Sequence, residues 1–248
     1  MQPKTIVVTG ASTGIGYAIA KLFIERGHNV VMNSLNKENL VKAYASLGSP
    51  SNVVVFAGDI SEKNTSNALI AEAAKHFGKV DVLINNAGIF SPKPFLDVEE
   101  ADIDKYIKTN LKGTFYTSQA AVTNMLGNGG GSIINIGTVL VDHAIAGFPA
   151  SAPVSSKGAI HALTRQLAAE FGKNNIKVNT IAPGIIRSPL QGKIGIDNAD
   201  ALAGLHLLGK IGEGNDIAEA AYMLANNNFI TGEILNVDGG HVAGHLFA

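Results

Sequence analysis

Residues Thr5 to Val8 form a short β-branched run that reads as a buried strand. They lead directly into Thr9-Gly10-Ala11-Ser12-Thr13-Gly14-Ile15-Gly16, and a helix is expected from Tyr17 to Arg26, closed by Gly27. A strand, a glycine-rich turn and a helix in immediate succession constrain the fold more tightly than any other feature of this chain. The turn aims backbone N–H groups and the positive end of a helix dipole at one point, and glycines stand where a side chain would block close approach. A pyrophosphate is the ligand such a turn suits, although glycine-rich turns of this kind also serve packing. The spacing, G-x-x-x-G-x-G, is wider than the commoner dinucleotide fingerprint.

Further strands are expected near residues 28–33, 52–57, 80–85, 131–137, 176–181 and 233–237, with the first spanning 4–9 and helical stretches between them. That alternation means an α/β fold, a parallel sheet with crossover helices. With 248 residues, 46% hydrophobic, the chain can bury a large core as one domain. No internal repeat or linker interrupts it, and Gly127 to Gly131 reads as a turn ahead of a strand. The absence of cysteine removes disulfides and thiolate metal sites, and no metal site is expected. A net charge of -1 with scattered lysines and arginines gives no footprint for nucleic acid or membrane. No apolar run reaches the length of a membrane helix, so a soluble, cytoplasmic protein is the expectation.

Other motifs follow in order: Asp59-Ile60, Asn85-Asn86-Ala87-Gly88 after the apolar run Val80 to Ile84, Asn110, Ile133 to Thr138, Lys157, Val178-Asn179, Pro183-Gly184 and Val237-Asp238-Gly239-Gly240. With these the chain resembles the short-chain dehydrogenase/reductase family, classical subgroup, over nearly its whole length. The resemblance implies a single Rossmann-type domain over residues 1–248, a seven-stranded parallel sheet, and a nicotinamide dinucleotide at the carboxyl ends of the strands. It also implies a substrate lid near 187–214, the least regular stretch of the sequence. Association as a homotetramer or homodimer is implied through helices near 99–126 and 153–172 and through the carboxyl-terminal strand, with the apolar tail Gly240 to Ala248 packed on a neighbouring subunit.

The cofactor contacts implied by the resemblance are Gly10, Ser12, Thr13, Gly14, Ile15 and Gly16 in the turn, Asp59 and Ile60 at the adenine, and Asn86, Ala87 and Gly88 beside the adenosine ribose. Pro183, Gly184, Ile186 and Ser188 match the segment that holds the nicotinamide carboxamide, and Lys157 also reaches the nicotinamide ribose. Asn85 and Asn179 read as residues serving the backbone at strand ends. At the end of the second strand an acid would bind the ribose hydroxyl and repel a 2′-phosphate. Ser34 stands there instead. The two usual places of a phosphate-gripping base hold Thr13 and Leu35, which leaves Asn33, Ser34, Asn36 and Lys37 as polar partners. The balance favours NADP(H) over NAD(H).

The family's chemistry uses a tyrosine made acidic by a lysine at i+4, a serine or threonine that orients the substrate oxygen, and an asparagine behind the lysine. Lys157, Thr138 and Asn110 fill three of these roles, but the residue four before Lys157 is Pro153. The five tyrosines are Tyr17, Tyr44, Tyr106, Tyr116 and Tyr222, so no shift of register between Thr138 and Pro183 recovers one. Proline fits the first turn of a helix, so Ser151-Ala152-Pro153 can begin the helix that carries Lys157. His143 is a candidate replacement acid, because imidazole is a side chain suited to proton transfer at physiological pH. Ser151, Ser155 and Lys157 acting through water are others.

Three readings stay open. The leading one is an NAD(P)(H)-dependent oxidoreductase acting on a small carbonyl, alcohol or imine with altered acid–base chemistry. An imine suits the site because an iminium arrives already protonated. The others are a cofactor-binding protein without turnover, serving as sensor or structural subunit, and an ordinary dehydrogenase whose tyrosine has been replaced.

Overall fold

The computed structural model describes residues 2–189, 192, 195 and 198–244. The tail residues 245–248 and part of the 187–214 stretch therefore lie outside the described residues. Seven strands appear: β1 (Thr5–Val8), β2 (Asn29–Ser34), β3 (Val53–Ala57), β4 (Val82–Asn85), β5 (Gly131–Ile136), β6 (Ile176–Pro183) and β7 (Ile234–Val237). They form one all-parallel sheet in the order β3-β2-β1-β4-β5-β6-β7. The expected seven-stranded doubly wound sheet is thus present, each strand within two residues of its expected ends.

The main helices are α1 (Gly14–Glu25), α2 (Lys37–Ser46), α3 (Lys63–Phe77), α4 (Glu100–Tyr106), α5 (Gly113–Leu126), α6 (Ser151–Phe171) and α7 (Gly214–Asn226). They cover both faces of the sheet, and period-two alternation along the strands divides the core into two layers. Ile6 and Val8 point with Val30, Met32 and Ile84 towards Ile19 and Phe23 of α1 and Ile217 and Leu224 of α7. Val7, between them, points the other way with Val31, Leu83, Ile133 and Val178, against Leu69 of α3 and Met125 of α5.

Two helix boundaries differ from expectation, while the start of α6 falls where the sequence allowed it. Helix α1 begins at Gly14 rather than Tyr17, so two glycines lie inside its first turn. Packing of the turn overrides the poor helix propensity of glycine here. The long helix expected near 99–126 is broken by a π-helical turn at Ile107–Lys112, which carries Asn110. Asn110 on this turn bonds both backbone groups of Ile89 and the hydroxyl of Ser156, and single π-turns inside α-helices are frequent at functional sites. Helix α6 starts at Ser151, and its first backbone bond runs from Val154 N to Ala150 O at 3.0 Å. Pro153 therefore precedes every donor the helix uses, and its missing N–H leaves no bond unmade.

Strand order reverses between β1 and β4, so the crossovers leave in opposite directions and open a crevice at the carboxyl ends of these two strands. The glycine-rich turn after β1 and the Asn86-Ala87-Gly88 turn after β4 both lie there. Among the described residues no helix is long and apolar enough to cross a membrane.

Candidate functional site

The two turns at the crevice are bonded into one unit. Thr9 Oγ1 accepts from the backbone N–H of Asn86 and of Ala87, both at 3.0 Å, and donates to Ile84 O at 3.3 Å. Asn86 Nδ2 donates to Thr9 O and Gly10 O at 3.0 and 3.1 Å. Gly10 has φ +64°, and a Cβ on it would stand 2.8 Å from Ala87 Cα. A Cβ on Gly16 would overlap Asn86 Nδ2 and the Gly10 carbonyl. These glycines are required by the approach of two backbones as well as by any ligand. Thr13 begins α1 with extended backbone and no capping side-chain bond, and no acidic residue sits in the first turn. The leading N–H groups and the dipole are left for an anion, so the cradle fits a dinucleotide pyrophosphate. The sequence places Thr9 at the head of the glycine turn but carries no signal for the role of its hydroxyl.

At the end of β2, Ser12 Oγ and Ser34 Oγ lie 3.0 Å apart. Asn33 is buried, and its amide donates to Phe56 O and Gly58 O at 3.0 and 3.2 Å, so its N–H groups serve the end of β3 instead of facing outward. Leu35 is 73% exposed. Asp59 Oδ1 accepts from Ser61 N and Oγ at 2.9 and 2.7 Å, which shapes the turn after β3. The Ile60 side chain is buried, packed beneath Gly113 at the start of α5. Asn85 ends β4 but bonds other side chains and not the backbone, whereas Asn179 lies within β6 and does hold backbone groups, those ahead of β7. Asn85 Nδ2 donates to Ser118 Oγ and Asn135 Oδ1, and Asn179 holds Ile230 O and the N–H of Glu233.

Lys157 and Asn110 converge on Gly88, where a Cβ would meet Asn110 Oδ1 at 3.1 Å and Lys157 Nζ at 3.4 Å. Lys157 is buried and donates to Ile136 O at 2.6 Å, and desolvation pushes its pKa down to about 8. Asn110 is fully committed: Oδ1 accepts from Ile89 N at 2.8 Å, and Nδ2 donates to Ile89 O at 3.1 Å and Ser156 Oγ at 2.9 Å. Ser156 passes the connection on, donating to Pro153 O at 2.7 Å. The sequence held no signal for Ser156 beyond its place beside Lys157. Replacing Ser156 by alanine is expected to lower stability by about 1–2 kcal/mol, because a buried hydroxyl with two partners is lost. A denaturant midpoint measured against the parent checks this.

Thr138 caps a short 3₁₀ turn, Val139–Val141, by accepting from Leu140 N at 3.3 Å, and His143 follows that turn. Pro153 shares a cavity of about 80 Å³ with Tyr106, among other residues. The Tyr106 hydroxyl donates to Ser91 O at 2.9 Å, and burial raises its pKa, so this phenol is a neutral structural group. Gly184, at the end of β6, is packed so closely that a Cβ would come 2.8 Å from His206 Nε2 and 2.9 Å from Asp238 Cα. Ile186 is buried, and Ser188 stands over the glycine turn, 3.3 Å from where a Gly14 Cβ would lie. Between them Arg187 pairs with Asp200 at 2.7 Å and Glu213 at 2.9 Å, tying this segment to the start of α7.

A glycine cradle at the switch point of a doubly wound parallel sheet, with a buried lysine beside it, defines a dinucleotide-binding Rossmann protein. A family model described as "Enoyl-(Acyl carrier protein) reductase" matches residues 10–242. The chain belongs to the short-chain dehydrogenase/reductase family of NAD(P)-dependent oxidoreductases. It is 30% identical to the 3-oxoacyl-[acyl-carrier-protein] reductase FabG of Thermotoga maritima, over 98% of this chain and 99% of that one. It is 36% identical to a 3alpha-hydroxysteroid dehydrogenase of Mediterraneibacter gnavus, over 96% and 97%. The solved structure of ElxO with NADP bound superposes with a TM-score of 0.90 at 33% identity, covering 98% of this chain and all of that one. A tyrosine-to-phenylalanine variant of ElxO, solved with NADPH bound, matches equally well.

Proposed function

We propose that this protein binds NADP(H) and moves hydride to or from a small carbonyl, alcohol or imine carbon, with Pro153 at the place where the family carries its catalytic tyrosine. The observation that carries the reading is the uncapped glycine cradle joined, through Gly88, to the buried Lys157–Asn110 pair. A bound nicotinamide would supply the hydride. Lys157 then holds the ribose and keeps a proton near the reacting oxygen, Asn110 and Ser156 fix the start of α6, and Thr138 presents its hydroxyl at the mouth of the site. General acid–base assistance is worth about 10²–10⁴-fold, so its usual donor's absence slows the reaction unless another group supplies the proton.

The absence of an acid at Ser34 and the hydroxyl pair Ser12–Ser34 favour NADP(H), as do the relatives solved with NADP and NADPH. The reading includes a single domain over residues 1–248 whose 187–214 segment covers the substrate, supported by Ser188 lying over Gly14. It also includes a cytoplasmic homotetramer or homodimer, supported by the exposed apolar Ile103, Phe115 and Leu126 along α4 and α5. A second reading, cofactor binding without turnover, draws on the same lysine, because a ribose contact alone would keep it.

Calorimetric titration with NADPH and NADH, followed by a carbonyl and imine reduction screen on the same sample, separates the two. NADPH is expected to bind more tightly than NADH and to be oxidised when substrate is added. Binding without turnover supports the second reading, and failure to bind either cofactor overturns both. Pro153→Tyr is expected to change the rate by less than about 10²-fold, because the site already has a proton source. A gain beyond that would mark an ordinary dehydrogenase that has lost its tyrosine.

A further inference from the structure

Three histidines from three different loops meet at the carboxyl end of the sheet. The ring of His241 lies 5.2 Å from that of His143, edge to face at 86°, and 5.8 Å from that of His206 at 65°. His241 is 1% exposed, and the turn after β7 puts it there. Asp238 Oδ1 accepts from Gly240 N and Oδ2 from Val242 N, both at 2.9 Å, while Gly239 and Gly240 take positive φ, so the chain reverses and sends position 241 inward. His206 walls the far side with both nitrogens committed. Its Nε2 accepts from Ile185 N at 3.1 Å, and its Nδ1 meets Lys210 O at 2.6 Å, a carbonyl to which it must donate. That ring is therefore structural, and it lies against Gly184, in the segment expected to face the nicotinamide. The group thus runs from Gly184 to the loop that follows Thr138.

We infer that His143 is the acid that replaces the tyrosine, that His241 is the positioning residue that holds its ring, and that the substrate is a carbonyl rather than an iminium. The inference rests on the oxidoreductase reading above. In reduction, hydride adds to the carbonyl carbon while the oxygen takes the proton of His143. The O–H bond forms as the N–H bond breaks, and the N–H electron pair stays on the imidazole. An iminium needs no such proton, so an acid held in this way is of use only for oxygen. The titratable and charged groups on the neighbouring elements include Asp142 on the same loop, Asp238 in the β7 turn, His206, and on α6 His161, which feels Asp142, Arg165 and Lys157.

The test compares His143→Gln and His241→Gln with the parent, for ketone reduction and for reduction of a pre-protonated cyclic iminium. The expected result for His143→Gln is a fall of about 10²-fold in ketone turnover. It should also lose the activity limb in the pH range where imidazole titrates. NADPH affinity is expected within about twofold of the parent, and iminium turnover is expected to fall less than ketone turnover, because an iminium needs no proton from the protein. NMR titration of the histidine Cε1–H signals in cofactor-free protein provides a readout independent of turnover, and His241→Gln is expected to displace the His143 titration curve. An unchanged pH limb in His143→Gln, or an unmoved His143 curve in a folded His241→Gln variant, overturns this inference alone. NADPH binding with no turnover of any substrate overturns the oxidoreductase reading, and the inference with it.

Discussion

Lys157→Met is expected to raise the melting temperature while lowering NADP(H)-dependent turnover by about 10²-fold or more. The stability change follows from burial. The ammonium donates to Ile136 O, no carboxylate among the described residues pairs with it, and desolvation holds its pKa at about 8 against 10.5 for a free lysine. At 1.36 kcal/mol per pH unit that difference is a penalty of roughly 3 kcal/mol on the folded state. Methionine removes it at the cost of the charge-assisted bond to Ile136 O, worth about 1.5–3 kcal/mol. The net gain near pH 7 is about 0.5–2 kcal/mol, or about 1–8 °C for a chain of this size. The sign of the pH dependence is fixed as well. Below about pH 8 both states carry the proton and the penalty is complete. Between about 8 and 10.5 the unfolded chain binds more protons than the folded one, so parental stability rises with pH and the advantage of methionine shrinks. Thermal melts at pH 7 and pH 10 check this, and a parent whose stability does not rise over that interval contradicts the buried-ammonium account.

Gly16→Val is the second large effect, acting through packing. A Cβ at position 16 would overlap the Asn86 amide and the Gly10 carbonyl, and both belong to the bonded unit made by Thr9, Gly10, Asn86 and Ala87. Neither can yield without breaking hydrogen bonds at the centre of the sheet. A loss of about 3 kcal/mol or more is expected, with a fall of about 6–12 °C in melting temperature. NADP(H) binding should disappear within the sensitivity of calorimetry, because the first turn of α1 is pushed off the crevice. Gly172→Ala provides the control. Nothing lies within 4 Å of its Cβ position, so its effect should stay within about 0.5 kcal/mol. Equal losses in the two variants would mean that the approach of the two turns is not the reason for Gly16.

Much of this was legible along the chain. The strand-turn-helix opening, the seven apolar strands and the turn chemistry between them depend on residues a few positions apart, and local propensity and period report such neighbours directly. The same holds for the spacing of Lys157 to Pro153, which one helical turn converts into a shared face. The absence of any tyrosine between Thr138 and Pro183 needed no coordinates.

What the chain folded in three dimensions added is set by residues far apart in sequence. Thr9 bonds Asn86 across a separation of 77 residues, and Asn110 bonds Ser156 across 46. The first bond joins the glycine turn to the second turn, and the second runs from the π-turn to the start of α6. Asn33 looked like a polar group at the end of a strand until its donors proved to be spent on β3. His143, His206 and His241 lie on separate loops, and no periodicity relates them. Strand order places those loops together, because β5, β6 and β7 run parallel and side by side, so the segments leaving their carboxyl ends share one rim. Period and turn chemistry are short-range properties of a polymer, whereas the partner of a buried polar group is chosen by whichever distant element the sheet brings within hydrogen-bonding distance.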